Sequence, residues 1–139
     1  MWPGSRGTVS LLYCLTLCPS LPYSAKVIAE IVSLPAYDAQ VQRLLTEDER
    51  MAMEFFVACT PEAHPLIAGT GGFRKARWVR QGTGKSGGVR AIYYHVAKPG
   101  RIYMAAIYAK AKKTNLSKAE RNLLAAIAAG IKTLERREG

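Results

Sequence analysis

A long central stretch of the chain carries twelve lysines and arginines and no aspartate or glutamate. It lies between Glu62 and Glu120, whereas seven of the ten acidic residues fall within residues 30–62. Clustered ammonium and guanidinium groups bind phosphate oxygens and stabilise the negative charge that develops when a phosphodiester reacts. Together with a formal net charge of +10, this stretch indicates a polyanionic partner: nucleic acid, an anionic membrane or an acidic protein. The twelve cations are Arg74, Lys75, Arg77, Arg80, Lys85, Arg90, Lys98, Arg101, Lys110, Lys112, Lys113 and Lys118.

Hydropathy patterning places the cations in an α+β domain. Two capping boxes, Thr46 to Glu49 and Ser117 to Glu120, predict where two helices begin. Runs rich in tyrosine and valine, separated by glycine turns, predict a β-meander. We therefore expect a three- to four-stranded antiparallel sheet with two N-terminal helices and one C-terminal helix. The predicted elements are a strand at 27–34, helices at 36–45 and 47–59, strands at 73–79, 89–97 and 101–109, and a helix from 118.

Strand alternation groups five of these side chains. Lys75 and Arg77 share one face of their predicted strand, and Tyr108 and Lys110 share one face of theirs. Arg90 begins the strand between them. Because neighbouring strands of a meander pair in space, we expect these side chains to converge at one end of the sheet. The result would be a cationic pocket with one phenol and no carboxylate.

Other residues with catalytic or metal-binding potential form no recognisable site. Cys14 and Cys18 have no histidine or second cysteine pair to complete a metal site, so we expect neither a metal nor another cofactor. The Gly-Lys-Ser at 84–86 lacks the earlier glycine and the following helix of a nucleotide phosphate loop. For His64 and His95 we expect no histidine–carboxylate pair.

The N-terminal residues 1–24 differ in composition from the rest of the chain. Their apolar run, Val9–Leu17, has the outline of a weak secretory signal peptide and is too short for a transmembrane helix. We interpret residues 1–24 as an extension or a misassigned start, and residues 25–139 as the folded domain. Membrane association through the extension is a distant alternative.

Three motifs in the cationic stretch resemble the signature of HigB-type toxins of the RelE/ParE superfamily. The first is Ile67–Trp78 and the second is Gly82–Tyr94. The third is Tyr108–Lys110 followed by Asn115–Ser117. They occur in this order at compatible spacing, and the resemblance covers the chain from about residue 25 to the C-terminus.

The resemblance implies the toxin of a type II toxin–antitoxin pair with a RelE-like fold. Members of the RelE branch enter the ribosome and cut mRNA without a metal. The implied partners are the ribosome, mRNA and a helix-turn-helix antitoxin similar to HigA, with operator DNA reached only through the antitoxin complex. The implied location is the cytoplasm, with no membrane partner.

Carried over by position, the resemblance implies that Lys75, Arg77 and Arg90 are cations of the site and that Lys110 is a further one. Tyr108 is the best candidate among the aromatic residues, although several relatives carry a functional tyrosine where this chain has Leu116. Cations of this kind would stabilise the phosphate while the RNA 2′-hydroxyl attacks it. Like-charged neighbours favour an uncharged lysine, so Lys75 or Lys110 is a candidate base. Further RNA contacts are expected from Arg74, Lys85, Lys112 and Lys113.

Two other functions remain open on the sequence. A toxin of the ParE branch would share the fold but inhibit DNA gyrase and need no RNA-cleaving site. A catalytically inactive member would bind RNA, or operator DNA with its antitoxin, and act as a regulator. Both alternatives keep the cationic surface, and they differ from an endonuclease in what happens to the nucleic acid.

Overall fold

The computed structural model describes residues 29–79, 88–97, 100–113 and 115–138. Residues 1–24, which include Cys14 and Cys18, and the expected RNA contact Lys85 lie outside the described residues. The elements are β1 (Glu30–Ser33), α1 (Pro35–Leu44), α2 (Glu47–Cys59), β2 (Phe73–Val79), β3 (Gly88–Val96), β4 (Arg101–Ala109) and α3 (Lys118–Glu138).

The four strands form one mixed sheet in the order β1-β4-β3-β2. The meander is antiparallel as predicted, since β2 pairs with β3 and β3 with β4. The first strand corrects the prediction of an all-antiparallel sheet, because β1 runs parallel to β4 with Glu30 opposite Arg101. A parallel pair needs a long connection, and here α1, α2, β2 and β3 all lie between the two partners.

Helices cover both faces of the sheet. On one face, Tyr37 and Val41 of α1 and Met53 of α2 belong to one apolar cluster with strand residues such as Met104. On the other face, residues of α3 such as Leu124 share a second cluster with Phe73, Ile92 and Tyr103. Strands that are buried on both faces read as nearly continuous apolar runs, as β3 does from Val89 to Tyr94 with Arg90 as the exception.

Both predicted capping boxes are present. Thr46 accepts a hydrogen bond from the backbone N–H of Glu49, whose carboxylate accepts one from the backbone N–H of Thr46. Ser117 and Glu120 make the same reciprocal pair at the start of α3. The 21-residue α3 is the longest of the three described helices. In the part of the chain that the structure describes, no helix combines the length and the apolar character needed to cross a membrane.

A buried polar network ties β1, α1 and α2 together. The Arg50 guanidinium donates to Glu54 at 2.9 Å, to Asp38 at 2.8 Å and to Ser33 at 3.1 Å. The Tyr37 hydroxyl donates to the same Glu54 carboxylate at 2.6 Å. Burial raises the pKa of Glu54, while the hydrogen bonds from Tyr37 and Arg50 oppose that rise. A buried charge of this kind is tolerated because it is paired and hydrogen-bonded.

A glycine turn sets β2 against α3. Gly71 has a φ of +76°, and a Cβ there would lie 3.1 Å from the Cβ of Ala128. Only glycine fits this close approach without strain. The segment before the turn pairs with the outer edge of β2 through hydrogen bonds from Ile67 N–H to Phe73 and from Lys75 N–H to Pro65. The strand β2 is therefore held between residues 65–67 on one side and β3 on the other.

Candidate phosphate-binding site

Three predicted site residues lie side by side across β2, β3 and β4. Arg77 pairs with Arg90, and Arg90 pairs with Tyr108. Directly paired residues on neighbouring strands project to the same face of the sheet. Arg90 and Ile92 are two residues apart in β3, so their side chains point to the same face, and Ile92 packs in the apolar cluster that includes α3. Arg77, Arg90 and Tyr108, which we call the cross-strand row, therefore lie on the α3 side of the sheet.

Lys75 and Lys110 flank the cross-strand row on opposite sides. Lys75 lies two residues before Arg77 in β2, is half-buried and pairs with Ile92. Lys110 follows the last residue of β4, is exposed, and donates its backbone N–H to Gly88 at 3.0 Å. The structure thus puts Lys75 on the face of the row and Lys110 at the end of the sheet where β4 stops.

Arg90 is a buried cation that no carboxylate pairs with among the described residues. It is 8% exposed, and its hydrogen bond is a long one of 3.5 Å from Nη1 to the carbonyl of Val89. A guanidinium has five N–H donors that need acceptors when water is excluded. Burying such a charge without a partner costs roughly several kcal/mol of desolvation free energy. The position therefore suits an anion brought by a ligand.

Tyr108 presents a buried hydroxyl that makes no hydrogen bond to any described residue. Burial raises the pKa of this phenol above its ordinary value; the charge of Arg90 lowers it and that of Glu120 adds to the rise. The phenol is therefore protonated at neutral pH. A protonated phenol can donate a hydrogen bond or a proton to an oxygen placed beside Arg90.

A carboxylate reaches the site from outside the acid-free stretch, contrary to the prediction of a pocket without one. Glu120, in the first turn of α3, forms an ion pair with Lys113. The Lys113 ammonium lies 5.6 Å from the centre of the Tyr108 ring. Hydrogen bonds from Lys113 and Ser117 lower the pKa of Glu120, so it is ionised at neutral pH. The sequence marked Glu120 only as a helix cap, because its approach to Tyr108 depends on where α3 packs.

The remaining expected RNA contacts lie apart from the cross-strand row or at its rim. Arg74 points to the same face of β2 as Ala76, which packs in the apolar cluster of α1 and α2. It donates hydrogen bonds to the backbone carbonyls of Glu62 at 3.1 Å and His64 at 2.7 Å. Its observed contacts hold the chain after α2, so an RNA contact by Arg74 stays a prediction. Lys112 is exposed in the turn after β4.

The histidines differ from the prediction in one respect. The Glu62 carboxylate lies 3.7 Å from Nδ1 of His95, so a histidine–carboxylate contact does exist. Burial lowers the pKa of His95, and the positive charge of Arg74 lowers it further, while Glu62 opposes both. His95 points to the same face of β3 as Tyr93, which belongs to the apolar cluster of α1 and α2. His95 therefore lies on the face opposite the cross-strand row. Across the described ranges, no three His, Cys, Asp or Glu residues are grouped as metal ligands would be.

The fold and site together define a small α+β protein with a row of two arginines and a tyrosine across a helix-covered sheet. A family model described as the RelE toxin of the RelE/RelB toxin–antitoxin system matches residues 65–138. This match spans more than half of the chain and includes β2, β3, β4 and α3. The chain belongs to the RelE toxin family: it is the toxin of a toxin–antitoxin system and has a cognate antitoxin.

Proposed function

We propose that this toxin is of the HigB type and acts in the cytoplasm as a ribosome-dependent mRNA endonuclease that needs no metal or other cofactor. The observation that carries the proposal is the cross-strand row, where buried Arg90 lies beside Tyr108, whose hydroxyl has no hydrogen-bond partner among the described residues. An RNA phosphate supplies acceptors for both groups. The toxin domain in this proposal spans residues 25–139, and residues 1–24 are an extension outside it.

The two arginines of the row provide the phosphate site. Arg77 and Arg90 occupy directly paired positions, so their guanidinium groups can address two oxygens of one phosphate. Charge-assisted hydrogen bonds of this kind strengthen as negative charge develops on the phosphate in the transition state. Arg90 is buried at this position and Arg77 is exposed; preorganised donors of this kind are worth about 10²–10³ in rate each.

The chemistry proposed is attack by the RNA's own 2′-hydroxyl. The bond from the 2′-oxygen to phosphorus forms, the bond from phosphorus to the 5′-oxygen breaks, and a 2′,3′-cyclic phosphate results. Tyr108, protonated at neutral pH because its pKa is raised, donates its proton to the leaving 5′-oxygen. The 2′-hydroxyl loses its proton to a base, for which Lys75 and Lys110 are the candidates.

The ribosome supplies what this site lacks. Holding the mRNA so that the 2′-oxygen lies in line with the 5′-oxygen replaces much of the acid–base assistance that a free ribonuclease needs. Lys110 and Lys112 are exposed at the end of the sheet and can contact ribosomal RNA. The antitoxin in this proposal is a HigA-like helix-turn-helix protein, and operator DNA is reached only through that complex.

A reconstituted translation reaction tests the proposal. Adding the protein should produce cuts within the translated part of the mRNA, mapped by primer extension, and the same mRNA without ribosomes should stay intact. Arg77→Met and Arg90→Met should each reduce cutting by about 100-fold or more. The matched control is Arg136→Met, an exposed arginine near the end of α3, which should cut as the wild type does.

The opposite results are equally specific. Intact mRNA in a reaction that contains the protein and translating ribosomes contradicts the endonuclease function. If the same preparation blocks supercoiling of DNA by gyrase, the toxin belongs with the ParE branch. Binding to RNA without cleavage or growth arrest would identify an inactive regulator.

A further inference from the structure

The first turn of α3 and the loop after β4 each bring one side chain to the site, Glu120 and Lys113, which the family resemblance did not assign to catalysis. Glu120 uses its two carboxylate oxygens differently. Oε1 accepts the backbone N–H of Ser117 at 2.9 Å, as a capping box requires. Oε2 accepts a hydrogen bond from the Lys113 ammonium. One carboxylate therefore links the first turn of the helix to the loop that follows β4.

Lys113 is held close to Tyr108 by this link. Its ammonium lies 5.6 Å from the centre of the Tyr108 ring, within the range of a cation–π contact. The lysine is partly exposed, with 33% of its side chain accessible. A free lysine on a short loop samples many rotamers, and fixing one costs side-chain entropy. The ion pair with Glu120 offsets part of that cost before RNA binds.

We propose that Glu120 is a positioning residue, which keeps the Lys113 ammonium beside Tyr108 so that the lysine stabilises the phenolate formed when Tyr108 gives up its proton. The inference rests on the proposed endonuclease function for its catalytic half. The proton passes from the Tyr108 hydroxyl to the 5′-oxygen, and the negative charge left on the phenol oxygen is then stabilised by Arg90 and by the Lys113 ammonium beside the ring. Burial raises the pKa of Tyr108 and the charge of Glu120 by itself adds to that rise, so the benefit of Glu120 comes only through Lys113. Glu120 forms no bond with RNA in this step.

A second capping box in the same chain provides a matched control. Glu49 makes the same two backbone hydrogen bonds with Thr46 at the start of α2, but no described lysine or arginine is paired with it. Glutamine also satisfies a capping box. Glu120→Gln and Glu49→Gln therefore make the same chemical change at two helix starts, and only the first removes a charge that holds Lys113.

The cleavage test is a double-mutant cycle in the reconstituted translation reaction. Glu120→Gln should lower kcat by about tenfold, because a displaced group loses orientation, and leave KM within about twofold. Lys113→Met should lower kcat at least as much. The double variant should be no slower than Lys113→Met alone, because Glu120 acts through the lysine. Glu49→Gln should match the wild type.

A second measurement does not depend on cleavage. The ε-methylene protons of Lys113 next to an aromatic ring should resonate upfield of an ordinary lysine in the NMR spectrum of the full chain. They should return towards the ordinary position in Glu120→Gln and stay in place in Glu49→Gln and in Tyr108→Phe, which keeps the ring.

The outcomes separate the two proposals. Unchanged Lys113 signals in Glu120→Gln, or additive losses of kcat in the cycle, would overturn the positioning role. A wild-type protein that cuts no mRNA overturns the endonuclease function and the catalytic half of the inference. The NMR result then still decides whether Glu120 holds Lys113 beside Tyr108.

Discussion

Burial gives two members of the cross-strand row, Arg90 and Tyr108, properties that the same side chains lack in water. A solvated arginine is satisfied by water, but Arg90 is 8% exposed, and its one hydrogen bond to a described residue is a long one to a carbonyl. The Tyr108 hydroxyl is buried, and its pKa is raised chiefly for that reason. Both groups gain when an anion with several oxygens enters.

Tyr108→Phe separates chemistry from stability. The hydroxyl has no hydrogen-bond partner in the described part of the chain, so removing it should change the free energy of unfolding by less than about 1 kcal/mol. Cleavage should fall by about 10²-fold or more, because a positioned proton donor is lost. Chemical denaturation and the translation reaction measure the two quantities. Equal cleavage by the variant and the wild type would exclude Tyr108 as the proton donor.

The sequence predicts part of this site. Because side chains alternate along a strand, parity alone places Lys75 and Arg77 on one face and predicts that they approach Arg90 and Tyr108. Direct pairing of Arg77 with Arg90 and of Arg90 with Tyr108 depends on register, which the pattern did not specify. The carboxylate of Glu120 was missed because distance along the chain does not predict where a helix packs.

Among the elements, α1 and α2 form a support on the face opposite the cross-strand row. Arg50 joins them to β1 through Ser33, Asp38 and Glu54. The side chain of Glu54 is 5% exposed, so its charge depends on this partner. The network fixes β1 beside β4 and leaves the α3 face free of these acids.

Arg50→Met should therefore destabilise the fold strongly. Removing one partner of a buried ion pair costs about 3–5 kcal/mol, because the other charge stays buried without compensation. Arg43→Met is the control, since Arg43 is exposed in the last turn of α1 and should change stability by no more than about 0.5 kcal/mol. Urea denaturation measures both. A loss below about 1 kcal/mol for Arg50→Met would mean that the network contributes little to stability.

Local patterns predicted the elements better than their arrangement. The capping boxes at Thr46 and Ser117 gave both helix starts, since these signals depend on neighbouring residues only. Predicted strands 73–79 and 101–109 agree with β2 and β4. The parallel pairing of β1 with β4 was not predicted. A short apolar strand carries no information about the direction of a partner about 70 residues away in the chain.

On the scale of the whole molecule, acidic residues are concentrated in the first half of the chain, although the α3 side of the sheet also holds the ion pairs of Arg101 with Glu30 and Glu135. Seven of the ten acidic residues fall within 30–62, the region of β1, α1 and α2. The cross-strand row and Lys75 lie on the α3 side. Because the net charge is +10, we expect the molecule to approach a polyanion with the side that carries the cross-strand row.

Salt dependence measures how many phosphates the cations contact. Binding of a single-stranded RNA oligonucleotide by Tyr108→Phe should weaken linearly with log salt, and each phosphate contact adds about 0.7 to the slope. Arg77→Met in that background should reduce the slope by roughly 0.7. Arg43→Met, on the opposite side of the sheet, should leave the slope unchanged. Fluorescence anisotropy across a potassium chloride series gives the slopes, and equal slopes for the two variants would argue against a phosphate contact by Arg77.

The most direct test of the account is the chemistry of the cut ends. Attack by the RNA's own 2′-hydroxyl at a phosphate held by Arg77 and Arg90 leaves a 2′,3′-cyclic phosphate on one fragment and a 5′-hydroxyl on the other. Mass spectrometry of fragments from the reconstituted translation reaction should find these two ends. Fragments that end in a 3′-hydroxyl and a 5′-phosphate, or mRNA that stays intact while the ribosomes translate it, would contradict the account.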